Sequence, residues 1–235
     1  MKIAFIGLGV MGYPMAGHVK NAGIDICVYN RTTEKAEKWC DEYKGDMAPT
    51  PAEAAKDRDV VLVCVGNDND VSEVILGDNG CLEPMKDGAI LIDHTTASAK
   101  LARHLFQTAE DQGKHFLDAP VSGGQAGAEN GTLTVMIGGE HDAYEVAKPV
   151  IDTYSKFNKL LGPAGNGQLA KMCNQICIAG VVQGLAEALN FAMKTGLNGG
   201  DLIETISKGA AGSWQMDNRY KTCLLYTSPS PRDRG

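Results

Sequence analysis

The sequence predicts an α/β fold, a doubly wound and mostly parallel sheet over residues 1–162 followed by an all-helical domain. Three observations carry that prediction. Strand and helix signals alternate from the first residue, and the strands are continuous apolar runs such as Val60-Val61-Leu62-Val63, as expected of a sheet covered on both faces. A glycine-rich turn follows the first strand directly. From Gly165 onward the alternation stops and only helical patterning remains.

Each element follows in order. Residues 2–6 form an apolar strand ending in glycines, and 13–21 have helical spacing and stop before Gly23. Residues 25–29 are β-rich, and 33–43 read as a charged amphipathic helix capped by Thr32 or Thr33. A short helix at 51–56 precedes a strand at 60–65. Strands at 89–93 and 115–118 flank a helix at 98–112, and a strand at 132–137 precedes a helix at 142–153 and a short strand at 159–161. Residues 168–194 are helical throughout, and 199–207 form a second helix, capped near Gly199. The Gly162-Pro163 turn marks the expected boundary between a nucleotide-type domain at 1–162 and the beginning of a helical domain at 163–222.

The 235 residues are 43% hydrophobic and 22% charged, which fits a globular chain and excludes disorder or a disulfide mini-protein. The net charge of −7 and the lack of a basic block argue against nucleic acid as a partner. The seven cysteines show neither CxxC pairing nor metal-ligand spacing and suit a reducing cytoplasm; the five histidines are scattered, so no metal is expected. The apolar stretch 176–193 is interrupted by Gln183, Glu187 and Asn190 and reads as a buried helix, not a membrane span.

Two glycine turns and one lysine carry the chemistry. Gly7-Leu8-Gly9-Val10-Met11-Gly12 is a full GxGxxG between strand and helix, the pattern of a Rossmann-type dinucleotide site. There Gly7 permits the turn, Gly9 lets the backbone reach a pyrophosphate and Gly12 allows close helix–strand packing; flavin and S-adenosylmethionine sites use related loops. The second strand ends in Tyr29-Asn30-Arg31-Thr32, with no acid to bind a ribose 2′-hydroxyl, while Arg31 offers a fork and Thr32 a hydroxyl to a 2′-phosphate. The expected cofactor is NADP(H) in preference to NAD(H). Further on, Asp118-Ala119-Pro120-Val121-Ser122-Gly123-Gly124 presents a hydroxyl beside two amides and suits either a carboxylate cradle or a plain tight turn. Lys171 and Asn174, three apart near the start of the long helix, share one face; a lone helical lysine is more often a solvated charge.

These motifs, in this order, resemble the β-hydroxyacid dehydrogenase family, the group that includes 3-hydroxyisobutyrate dehydrogenase, tartronate semialdehyde reductase and the glyoxylate/succinic semialdehyde reductases. The resemblance rests on the glycine loop continuing as Tyr13-Pro14-Met15, on residues 118–124, and on Gly167-xxx-Lys171-xx-Asn174. It implies hydride transfer between a nicotinamide and a small β-hydroxyacid or semialdehyde carboxylate. It further implies Lys171 as the acid/base, Asn174 as its support, and Ser122, Gly123 and Gly124 as the carboxylate site. Asp93-His94-Thr95-Thr96 matches a fourth family stretch and puts Thr96 at the edge of cofactor and substrate. A homodimer or homotetramer is expected of the complete protein. The contrasting reading is a catalytically silent cofactor-binding module of the same fold.

Residues 223–235, Cys-Leu-Leu-Tyr-Thr-Ser-Pro-Ser-Pro-Arg-Asp-Arg-Gly, break abruptly from the preceding pattern; a disordered tail is one reading, but Cys223 to Asp233 resembles the translation of a transposase sequencing adapter. They are expected to be foreign to the protein, whose own helical domain is expected to continue past residue 222.

Overall fold

The computed structural model describes residues 1–225, and the chain divides into two compact units, Met1–Lys171 and the residues from Met172 onward. The first unit is built on strands β1 (Lys2–Ile6), β2 (Asp25–Tyr29), β3 (Asp46–Met47), β4 (Val60–Val63), β5 (Ile90–Asp93), β6 (His115–Asp118), β7 (Val121–Ser122), β8 (Leu133–Gly139) and β9 (Ser155–Leu160). Their spatial order is β3-β2-β1-β4-β5-β6-β8-β7, with β9 beside β8. Neighbours from β3 through β6 run parallel; β8 is antiparallel to β6 and β7 and parallel to β9.

The apolar runs have a direct structural cause. Ile3 and Phe5 of β1 enter the core on one face of the sheet, while Ala4 and Ile6 enter the core on the other. Likewise Val60 and Leu62 face one layer and Val61 and Val63 the other, so every position of β4 is apolar. The covering helices are α1 (Gly12–Asn21), α2 (Thr33–Tyr43), α3 (Pro51–Ala55), α4 (Asp68–Leu76), α5 (Ala99–Asp111), α6 (Gly124–Glu129) and α7 (His141–Ile151). Three of them begin on side-chain caps that accept backbone N–H groups: Thr50 for α3, Asn67 for α4 and Ser98 for α5.

The sequence reading lacks β3, α4, β7, α6 and, in the second unit, α10 (Trp214–Leu225). The strands among these are two residues long and too short to show a period. Helix α4 opens Asp68-Asn69-Asp70, polar enough to resemble a loop, and its Asn67 cap is the signal that reveals it.

Helix α8 (Asn166–Lys194) begins in the first unit and continues into the second, which also holds α9 (Gly199–Ile206) and α10. The compact units divide after Lys171, later than the Gly162-Pro163 turn, because the first turn of α8 is bound into the first unit by buried polar contacts described below. The expectation that residues 176–193 are buried is corrected. Leu185, Leu189 and Ala192 are buried, but Ile176 is 72% and Phe191 66% exposed. Among the described residues of the second unit, Leu185, Leu189, Ile203 and Met216 form one small core cluster, with α9 and α10 on one side of the helix. By length and composition alone α8 would also suffice to cross a bilayer. The stretch expected to be foreign lies outside the described residues except where α10 runs through its first three positions, 223–225.

Candidate active site

The glycine turn sits where the strand order reverses, since β1 is flanked by β2 on one side and β4 on the other. Gly7 has φ +98°, and a Cβ there would collide with the carbonyl oxygen of Cys64. A Cβ on Gly12 would collide with the Gly7 carbonyl oxygen and lie 2.9 Å from the Phe5 ring. Gly9, by contrast, faces open space, so its backbone is free for a ligand to approach. Helix α1 has no capping side chain and no acid in its first turn, which leaves its positive dipole end without a side-chain partner. Asn30 ties the turn to β2: its Oδ1 accepts from Leu8 N at 2.9 Å, and its Nδ2 donates to the Thr32 carbonyl at 2.9 Å. Leu8 is itself buried, whereas Val10 is exposed.

A cleft of about 380 Å³ opens over this turn, lined by Gly7, Gly9, Val10, Met11 and Gly12, by Asn30, Arg31, Thr32 and Lys35 after β2, and by Val65, Gly66 and Asp70 after β4. These residues fit a dinucleotide: open glycine backbone, a free helix N-terminus and two cations beside the end of β2. The cap position of α2 is Thr32, whose hydroxyl makes no capping bond. Arg31 is largely exposed and pairs with Asp70 across the cleft at 3.5 Å. Lys35 and Asp70 are lining residues that the motif reading missed; they come from α2 and α4, so nothing in their spacing from the glycines announces them.

A second group of residues gathers at the carboxyl ends of β5 and β6. Asp93 and Asp118 are register partners on these adjacent strands, and both are buried. Asp118 accepts from Gly165 N at 2.7 Å and from Gln168 N at 2.8 Å, so its carboxylate caps the beginning of α8. Burial raises its pKa, and the amides of Gly165, Gln168 and Gly167 act in the opposite direction. Burial pushes Asp93 up to about 7, against the hydrogen bond from Thr95 N at 2.9 Å. His94 is buried and neutral: Nδ1 donates to the Ala119 carbonyl at 2.7 Å, Nε2 accepts from the Tyr154 hydroxyl at 2.9 Å, and burial pulls its pKa down to about 4.

Gln168, also buried, spends its whole amide on one loop, accepting from Ala97 N at 3.0 Å and donating to the Thr95 carbonyl at 2.8 Å. Thr96 lies between these two contacts and is exposed. One turn further along α8, Lys171 donates from Nζ to the Val121 carbonyl at 2.8 Å, next to Ser122. The lysine is half-buried, and desolvation lowers its pKa. Ser122 is partly exposed; Gly123 and Gly124 are exposed and take φ +144° and +62°. Lys171, Ser122, Gly123, Gly124 and Thr96 thus come from elements gathered around the ends of β5 and β6. Asn174 follows three residues later on α8, in the second unit, where its amide donates to Gln175 Oε1 at 3.1 Å. Among the described residues no three His, Cys, Asp or Glu side chains converge as a metal site.

Comparison with known proteins gives a consistent result. Residues 2–176 match the family described as the NAD binding domain of 6-phosphogluconate dehydrogenase, and residues 165–232 match NAD-binding of NADP-dependent 3-hydroxyisobutyrate dehydrogenase. An oxidoreductase of Shewanella frigidimarina is 61% identical over 221 residues, 94% of this chain and 76% of that protein. The NAD-dependent L-serine dehydrogenase of Pseudomonas aeruginosa is 34% identical over 234 residues, 99% of this chain and 78% of its own. The structure of Mycobacterium tuberculosis 3-hydroxyisobutyrate dehydrogenase with L-serine superposes with a TM-score of 0.83 at 30% identity, covering 93% of this chain and 74% of that one. With its strand order, its glycine turn at the point of reversal and these matches along nearly all of its length, the chain belongs to the β-hydroxyacid dehydrogenase family and is an NAD(P)-binding oxidoreductase by kinship.

Proposed function

We propose that this protein transfers hydride between NADP(H) and a small β-hydroxyacid or semialdehyde carboxylate, with Lys171 as the acid/base. The observation that carries the proposal is the Lys171 ammonium, half-buried and held on the Val121 carbonyl beside the glycine turn at 122–124. The bound nicotinamide supplies the hydride, and the protein must supply or remove one proton on the substrate oxygen. Lys171 gives that proton in reduction and takes it back in oxidation, and its lowered pKa brings it towards the working range of such a group. Ser122 and the amides of the following glycines offer a substrate carboxylate neutral donors without a metal. Thr96 belongs to the same edge, and Asn174 supports Lys171 from the next turn of α8. Arg31 and Thr32 favour a 2′-phosphate, helped by Lys35, because no acid ends β2. The protein acts in the cytoplasm on a small carboxylate, as a homodimer or homotetramer, without nucleic acid or membrane.

NADPH oxidation by the full-length protein with a panel of short semialdehydes tests this reading. Lys171→Ala is expected to cut kcat by roughly 10²–10⁴ while leaving cofactor affinity intact, the usual range for a positioned acid/base. Lys171→Arg is expected not to rescue, because a guanidinium does not release its proton near neutral pH. Retention of more than about half of kcat by Lys171→Ala would overturn the mechanism and favour a silent cofactor-binding module.

A further inference from the structure

We propose that Asp118 is a positioning residue for Lys171, clamping the first turn of α8 from the end of β6 so that Nζ reaches the Val121 carbonyl. The inference rests on the reading of Lys171 as the acid/base. Sequence resemblance places Asp118 in a stretch associated with substrate, yet its side chain is fully buried and its two oxygens accept from Gly165 N and Gln168 N. No ligand could reach this carboxylate without dismantling the start of α8. The surroundings are shaped for the clamp. A Cβ on Gly138 would lie 2.5 Å from Asp118 Oδ1, and one on Gly167 would lie 2.8 Å from Oδ2. Bare backbone at both positions lets the carboxylate approach the helix.

The clamp sets both the height and the rotation of the first turn of α8. Asp118 fixes the amides of its first turn, and Gln168 fixes its rotation through Ala97 N and the Thr95 carbonyl. Lys171, three residues beyond Gln168, then points towards β7. A lysine side chain has four rotatable bonds and would otherwise sample solvent, so a defined helix start supplies the order that proton transfer needs.

The test is a double-mutant cycle in the full-length protein, reading the single-turnover rate of NADPH oxidation with a semialdehyde that the protein reduces. Asp118→Asn keeps the shape but presents an NH₂ to one of the two amides. It is expected to slow turnover by about tenfold to hundredfold, the scale of a misplaced catalytic group, with NADPH affinity within twofold of wild type. In a Lys171→Ala background the same change is expected to have less than a twofold further effect, because the group it positions is gone. Losses that multiply in the double variant, or NADPH affinity falling in step with rate, would overturn the proposal and leave Asp118 a purely structural residue. If Asp118→Asn does not fold, Gln168→Met replaces it, with a several-fold loss expected that is likewise absent when Lys171 is alanine. The two readings fail separately: a mild Lys171→Ala refutes the acid/base assignment and the positioning with it, whereas a severe Lys171→Ala with multiplying losses refutes the positioning alone.

Discussion

The first turn of α8 and the rest of the same helix are held by opposite means. Up to Lys171 the helix is fixed by buried polar groups, Asp118 on its amides and Gln168 on the 95–97 loop. From Met172 to Lys194 the side-chain hydrogen bonds among the described residues stay within the helix, as from Asn174 to Gln175 and from Gln183 to Glu187, and only Leu185, Leu189 and Ala192 of that segment are buried. Directional hydrogen bonds determine where a helix sits to within a fraction of a bond length; apolar burial contributes stability but tolerates sliding and rotation. The proposed catalytic lysine stands on the last residue of the directionally held part. The proposed proton-transfer group is thereby placed by contacts of the sheet-bearing unit.

The comparison predicts its largest stability effect in the helical unit. Leu189→Ala should lower the stability of that unit by about 2–5 kcal/mol, whereas Ile176→Ser should change it by less than about 0.5 kcal/mol. Chemical denaturation of both variants checks this; a large loss at Ile176 would mean that the exposed face is covered in the folded protein in solution.

A pH titration sharpens the contrast from the sheet side. His94 is neutral when folded, with its pKa pulled from 6.5 to about 4 by burial. Its contribution is therefore present above pH 6.5 and lost as pH falls towards 4, by at most roughly 3 kcal/mol. Asp93, pushed from 3.8 up to about 7, acts in the opposite sense, its contribution being present at low pH and lost as pH rises through 7. Stability measured from pH 7 to 4 should fall less steeply in His94→Gln than in wild type. Parallel slopes in the two proteins would show that burial does not shift the pKa of His94.

The smallest expected effect belongs to the cofactor cleft, where binding groups are exposed. Arg31→Asp should weaken NADPH binding by roughly 1–3 kcal/mol and leave NADH nearly unchanged, as for loss of a charge-assisted pair. Fluorescence titration with both cofactors measures the split. Equal affinities in the unmodified protein would remove the NADP preference, and the Arg31–Asp70 pair would then be a surface contact only.

Much of the first unit was legible in the sequence because its signals are local. Residues 25–29, 33–43 and 115–118 are bounded in the structure as their patterning predicts, and of the turn's glycines Gly7 takes a positive φ, Gly12 packs too closely for a Cβ and Gly9 faces open space. The second glycine turn was only half legible. Gly123 has φ +144° and a Cβ there would come within 2.9 Å of Leu133, so the residue is required by the fold as well as available to a ligand. A motif alone cannot separate those two demands.

What the sequence determined by itself is what depends on neighbours in the chain: strand and helix periods, the glycine turn, the missing acid after β2, and the motif order that marks the family. What only the tertiary structure decided is which polar groups are consumed by the fold. Asp118 and Gln168 look like ordinary polar residues in a string, and so does Lys171 on a helix. Their partners lie 47 to 73 residues away, at the start of α8 for Asp118 and just beyond β5 and at β7 for Gln168 and Lys171. Burial removes water from these groups, and a dehydrated carboxylate or amide must find a protein partner. That requirement, which acts only once the sheet has formed, turns two inconspicuous side chains into the clamp that aims the lysine.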